Sequence, residues 1–234
     1  MSAKAPVIAF VSPKGGAGKT TATLTLASEL VYQTDSKVTI IDADPNYPFK
    51  RWVQLGRKPD LLEVIFDESE ETILDNIEKA KRNSSAVLVD LEGTKNMRVT
   101  YAVSQADLVI IPVQGSMLDA NEAAEAIKLI KRTEKGFNKQ IEYALLFTRM
   151  PAAIISRNFS DIARQLTSNK IPVFGSQLTE REAFKTMFST GLVLHELTAS
   201  QVGGLEKALE DSYNLALGVT ARVNANRKKI QQAA

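Results

Sequence analysis

Cysteine is absent from the 234 residues, which excludes disulfides, thiolate metal sites, iron–sulfur clusters and cysteine nucleophiles. Histidine is nearly absent. His195 alone supplies neither a histidine-based metal site nor an acid–base dyad, and is expected as a surface or capping residue. Long apolar runs are missing as well. The longest, Leu108 to Val113, is strand-sized, far from the roughly 18 residues of a membrane span. The opening Met1-Ser2-Ala3-Lys4-Ala5-Pro6 lacks the apolar stretch of a secretory signal, so a cytoplasmic location is expected. Net charge is only +2, so bulk electrostatics announce no nucleic-acid partner. The distribution is less even: ten acidic side chains lie between Asp60 and Glu92 against Lys79, Lys81 and Arg82. From Ser212 onward there is no acid, but there are Arg222, Arg227, Lys228 and Lys229. Such asymmetry suits either a solvated helix end or a tail that meets something anionic.

What is present is the composition of a soluble globular protein, 44% hydrophobic and 24% charged, in a chain long enough for one buried core. Short β-branched runs at Val7–Val11, Val38–Ile41, Val87–Val89, Leu108–Val113, Glu142–Phe147 and near Val173 alternate with helical patterns near Thr20–Tyr32, Glu70–Arg82, Ala120–Thr133 and Ser160–Leu166. That alternation predicts βαβ units and a mostly parallel twisted sheet flanked by helices, with Leu61–Phe66 as a further edge strand. The last third predicts a helix over Glu180–Ser189 stopped by Gly191, then a long C-terminal helix over about 203–230. In that helix Leu205, Leu209, Tyr213 and Ala216 would dock on the core. No repeat or linker interrupts the chain, so residues 1–234 read as a single domain.

The strand Val7–Val11 runs into Ser12-Pro13-Lys14-Gly15-Gly16-Ala17-Gly18-Lys19-Thr20-Thr21, and a helix follows. Glycines let successive backbone N–H groups point inward as an anion nest, and the helix N-terminus adds positive potential. In this phosphate-binding loop Lys19 would reach the β- and γ-phosphates of ATP, and the Thr20 hydroxyl would ligate magnesium. The usual pattern has its first glycine five residues before Gly18, where this chain has Pro13; it carries an extra lysine, Lys14, instead. Two further strands end in carboxylates. In Ile40-Ile41-Asp42-Ala43-Asp44-Pro45 the acids at i and i+2 point the same way in extended chain. Val87-Leu88-Val89-Asp90 offers a carboxylate to the magnesium shell.

Lys-Gly-Gly-Ala-Gly-Lys-Thr-Thr resembles the ParA/MinD family of deviant Walker A ATPases, a branch of the P-loop NTPases. The Asp-Ala-Asp-Pro and Val-Leu-Val-Asp segments, Ala106–Gln114 with Asp119, and Leu178–Phe184 up to Gly191 extend the likeness over nearly the whole chain. The resemblance implies that Lys14 reaches across a dimer interface to the partner's ATP, that Asp44 holds the attacking water, and that Asp42 and Asp90 with Thr20 serve magnesium. Gly15, Gly16, Ala17, Gly18, Lys19, Thr20 and Thr21 would bind nucleotide. Arg149, at the end of the strand over Glu142–Phe147, is placed by position either to contact adenine or ribose or to be a plain surface arginine. The chain departs from the family at Asn46, where a glutamine is frequent, and at Leu91-Glu92-Gly93, where Thr-Pro-Pro is usual. Pro112, without a ladder donor, is expected to end its strand.

Within the family the sequence is similar to small ParA ATPases of plasmid partition and to the related ATPase of T-DNA transfer. The implied activity is slow ATP hydrolysis, stimulated by a ParB-like partner. An ATP-bound homodimer would grip DNA non-specifically and partition or position it on the nucleoid, with a conjugation relaxosome or other protein cargo as the alternative. Arg222, Arg227, Lys228 and Lys229 are the candidate DNA contacts, ahead of Arg157, Arg164 and Lys185. The tail has too few bulky apolar residues for a membrane anchor.

Overall fold

Strands that are apolar on both faces need a layer of helices on each side, and the computed structural model shows that arrangement. It describes residues 4–13, 15–93, 96–114, 117–151, 166, 168 and 170–233, except for the side chains of 117–120 and 233. Lys14, Arg157, Arg164, the side chain of Asp119 and nearly all of the helix expected over Ser160–Leu166 lie outside the described residues.

The strands are β1 (Val7–Phe10), β2 (Val38–Ala43), β3 (Leu62–Phe66), β4 (Ala86–Leu91), β5 (Leu108–Val113), β6 (Tyr143–Met150) and β7 (Val173–Thr179). They form one sheet in the order β3-β2-β4-β1-β5-β6-β7, parallel at every pairing. The helices are α1 (Lys19–Thr34), α2 (Pro48–Gln54), α3 (Ile73–Asn83), α4 (Met97–Gln105), α5 (Met117–Phe137), α6 (Glu182–Thr190) and α7 (Leu205–Ala233), with a 3-10 turn at Leu194–Glu196. Alternation along β1 assigns the two layers. Ile8 and Phe10 face a core shared with α1, α2, α6 and α7; Val7 and Ala9 face one shared with α3, α4 and α5.

Two expectations are corrected. Pro112 does not end β5; it pairs with Leu146, and Val113 follows in register with Phe147. Amide directions alternate along a parallel strand. Val109 donates to Glu142 of the β6 side, so the hydrogen that Pro112 lacks would face β1, which has already ended at Phe10. No ladder bond is lost. Tyr213 is half exposed rather than docked; Ala208, Leu215, Ala216, Val219 and Val223 form the buried stripe of α7, which carries the packing further along the helix than expected. The sequence pattern predicts neither α2 nor α4. Gly191 does stop α6, with φ +76° and its N–H bonded to the Met187 carbonyl.

Candidate functional site

The strand order puts β1 between β4 and β5, so the β1–α1 turn opens at the carboxyl edge of the sheet, where ligands of parallel α/β sheets sit. Gly16 and Gly18 take φ of +85° and +82°, backbone that disfavours side chains. Neighbouring strand ends grip the outside of the loop: Gln114 Nε2 donates to the Gly16 carbonyl at 2.6 Å, and Thr148 Oγ1 to the Ala17 carbonyl at 2.7 Å. With the Gly16 and Ala17 carbonyls held in this way, the loop leads into the N-terminus of α1, the end of a helix that carries positive potential. Lys19, buried to 5% exposure, starts that helix. Lys14 is outside the described residues.

The carboxylates converge on this turn. Asp42 and Asp90 pair in register on adjacent strands, both fully buried. Thr20 Oγ1 donates to Asp90 Oδ2 at 2.7 Å, whereas Asp90 Oδ1 is buried and accepts no hydrogen bond. Burial pushes the Asp90 carboxyl up to about 7, against the Thr20 hydrogen bond and the Lys19 charge. Asp42 is likewise raised by burial to about 7, although the amides of Phe49 (3.0 Å) and Asp44 (3.4 Å) donate to it. An oxygen-only donor set of Thr20, Asp42 and Asp90, with one orphaned carboxylate oxygen, fits a hard divalent cation such as magnesium.

Asp44 sits at the edge of this cluster, 8% exposed. Its Oδ1 accepts both the Asn46 amide N–H (2.8 Å) and the Asn46 side chain (3.0 Å). The same Asn46 Nδ2 also reaches Glu92 Oε2 at 3.3 Å. Asn46 and Glu92, the two departures from the family pattern, thus meet across the exits of β2 and β4. Sequence offered no signal for this contact.

Beside the loop lies a cleft of about 490 Å³ lined by Gly18, Thr21, Thr148, Arg149 and Phe184, among others. Arg149 is exposed and holds a left-handed φ of +52°. The tail candidates divide. Arg222 is held by Glu142 (3.2 Å), the Val173 carbonyl (2.9 Å) and the Phe174 ring, a strut between α7 and the sheet. Arg227 bonds the Lys4 carbonyl. Lys228 and Lys229 are exposed. Lys185 is paired with Glu182 at 3.4 Å. His195, expected as a surface or capping residue, is half-buried, hydrogen-bonds buried Glu29 at 2.8 Å and stacks on Tyr32.

The VirC1 protein family matches residues 5–223. The Protein ParA of Rhizobium radiobacter is 34% identical, across 92% of this chain and 96% of that protein. The maintenance of carboxysome distribution protein A of Halothiobacillus neapolitanus is 27% identical across 85% of this chain and 90% of its own length. Among solved structures, the ATP complex of a Cyanothece McdA variant superposes with a TM-score of 0.73 at 15% identity, covering 94% of this chain and 98% of that one. Among the described residues, no helix is long and apolar enough to cross a membrane.

Proposed function

This chain belongs to the VirC1/ParA family of partition and positioning ATPases, and from that premise we propose that it is an ATP-driven dimerising switch whose closed form grips DNA without reading its sequence. The observation that carries the reading is the unfinished electrostatics beside the loop. Two buried carboxylates, Asp42 and Asp90, sit near neutral pKa with one oxygen unpartnered, an arrangement that magnesium with ATP would complete.

In this reading residues 1–234 form one ATPase domain. The amides of Gly15 to Thr21 and the Lys19 ammonium hold the phosphates, and Arg149 contacts adenine or ribose. Thr20, Asp42 and Asp90 would hold magnesium, directly or through its waters, and when bound it would supply positive charge beside the phosphoryl oxygens. Asp44, itself oriented by Asn46, orients the attacking water. Lys14, contributed by the second copy, completes the charge balance, so hydrolysis waits on dimerisation. A ParB-like partner stimulates hydrolysis and thereby releases the DNA. Exposed Lys228 and Lys229, with Arg227 beside them, supply the DNA contacts; Arg222 is spent on Glu142 and acts on the fold instead. Contacts to phosphates alone make affinity fall steeply with salt and bring the closed dimer to the nucleoid, a cytoplasmic location. A second reading, a protein cargo such as a relaxosome, is favoured by the relative named for carboxysome distribution.

Sedimentation with a non-hydrolysable ATP analogue and magnesium, with ADP, and without nucleotide tests the switch. Dimer is expected only with the triphosphate. A monomer at saturating analogue would end the proposal. Repeating the run with random-sequence duplex tests the DNA grip: DNA should co-sediment only with the dimer, and its absence would end that part of the proposal, while the identity of the stimulating partner separates the two cargo readings.

A further inference from the structure

Arg98 belongs to none of the groups assigned above, yet among the described residues it is, besides Lys19, the most deeply placed cation near the two carboxylate-bearing exits. It lies in the first turn of α4, directly after the segment that leaves β4, and its side chain is 12% exposed. Nη1 donates to the Ala43 carbonyl at 3.1 Å. Ala43 is the single residue between Asp42 and Asp44. Nε lies 3.3 Å from Oδ2 of Asp67, a fully buried carboxylate just past the end of β3.

Asp67 is itself tied to the β2 exit. Its amide donates to the Asp42 carbonyl at 2.9 Å, and its own carbonyl accepts the Tyr47 hydroxyl at 3.3 Å. Its Oδ1 takes hydrogen bonds from Thr72 Oγ1 and Asn76 Nδ2, both at 2.8 Å. Its Oδ2 accepts no hydrogen bond, so the guanidinium is its electrostatic counterpart. One planar side chain from the β4 exit therefore holds two points of the β2–β3 edge at once. A lysine ammonium, a single point charge, cannot reproduce that fork.

We propose that Arg98 is a positioning residue for hydrolysis: by clasping the Ala43 carbonyl and Asp67 together, it locks the backbone that presents Asp44 to the segment that follows Asp90, so the two exits move as one body. The proposal rests on the assignment of Asp44 to the attacking water. Arg98 acts through main chain, which predicts a specific kinetic split. Phosphate capture by the loop and Lys19 does not pass through Ala43, whereas placement of Asp44 does. Small misplacements of a reacting group cost up to about 100-fold in rate.

The test compares wild type with Arg98→Lys, Arg98→Met, Arg98→Met/Asp67→Asn and Asp44→Ala, measuring ATP affinity, turnover with magnesium, and melting temperature. For Arg98→Met, turnover is expected to drop about 10- to 100-fold while the ATP dissociation constant stays within about threefold. Its melting temperature also falls, because a buried carboxylate loses its counter-charge. The double variant removes that charge and keeps the Oδ1 acceptor, so it should regain stability but not turnover, the Ala43 carbonyl still being untied. Arg98→Lys should fold and lie between. If the double variant recovers turnover together with stability, or if ATP affinity falls in step with turnover, Arg98 merely holds the fold and the proposal is overturned. If Asp44→Ala hydrolyses ATP at the wild-type rate, the assignment of Asp44 fails first, a result distinguishable from failure at Arg98 alone.

Discussion

Replacing Asp90 with asparagine should make the nucleotide-free protein more stable and, on the proposed reading, should remove stabilisation by magnesium. Asp90 is fully buried and its carboxyl is raised from 3.8 to about 7. A raised carboxyl binds its proton more tightly folded than unfolded, so the stabilisation is intact below the unfolded value and drains away as pH climbs through the folded one. Three pH units at about 1.4 kcal/mol each put the full loss near 4 kcal/mol at pH 8, as an upper bound. Asparagine keeps the Oδ atom that Thr20 bonds but aims an amide N–H₂ where Oδ1 already lacks a partner, which returns about 1–3 kcal/mol. The net gain at pH 8 is therefore roughly 1–3 kcal/mol, or a melting temperature about 3–10 °C higher for a chain of this size. At pH 5, little more than one pH unit above the unfolded value of 3.8, only about 1.6 kcal/mol of that loss has accrued, and the about 1–3 kcal/mol cost of the misplaced amide offsets it, so the gain should vanish. Asp42, raised to about 7 as well, leaves a residual pH slope of the same sign. Thermal unfolding at pH 5 and pH 8, with and without magnesium and ATP, reads all of this. Equal shifts at both pH values, or a variant that melts earlier at pH 8, would refute the reasoning.

Lys19→Ala should abolish nucleotide binding in isothermal titration, and ordinary ATP affinity in that variant would mean the phosphates are held elsewhere. Gly191→Ala is expected to destabilise the fold: its φ is +76° and the new Cβ would stand 2.6 Å from Leu55 Cβ. Left-handed strain of about 1–2 kcal/mol plus overpacking of about 1–3 kcal/mol should lower the melting temperature by roughly 5–15 °C; a change below about 2 °C, the smallest shift expected per kcal/mol, would show that α2 simply moves aside. Lys228→Glu with Lys229→Glu should weaken duplex binding on all sequences and reduce the slope of log affinity against log salt by about 2, while leaving analogue-driven dimerisation intact. An unchanged slope would move the DNA face away from this end of α7.

Contiguous features were the legible ones. The loop Gly15–Thr21 and the strand ends carrying Asp42, Asp44 and Asp90 announce themselves because their chemistry needs neighbours in sequence and a strand directly before them. The parallel sheet was readable for the same reason, from strands apolar on both faces. Short elements were not. In α2 only Phe49 and Trp52 are buried, both at the mercy of tertiary contacts, and it starts after Tyr47 in a left-handed turn. The nine residues of α4 carry too few periodic positions to separate helix from loop. Tyr213 misled because position on a helical wheel says nothing about which neighbour arrives; α7 turns its Ala208–Leu215–Val219 side inward instead. Arg98 and Asp67, Asn46 and Glu92, and Arg222 and Glu142 join residues far apart in the chain, and no local pattern marks one long side chain as a strut and the next as free.

The hold that Gln114 and Thr148 keep on the outer oxygens of Gly16 and Ala17 has a consequence for selectivity. A cradle already braced in its receptive shape needs little rearrangement to receive a diphosphate or a triphosphate, so it should take ADP and ATP almost equally well. On the proposed reading, telling them apart then falls to the parts that would meet the terminal phosphoryl group: the exits of β2 and β4, and whatever a second molecule would bring. In such a device, grip on the nucleotide and judgement of whether it is still charged are housed in separate places, and only the second can be tuned by a visitor docking from outside.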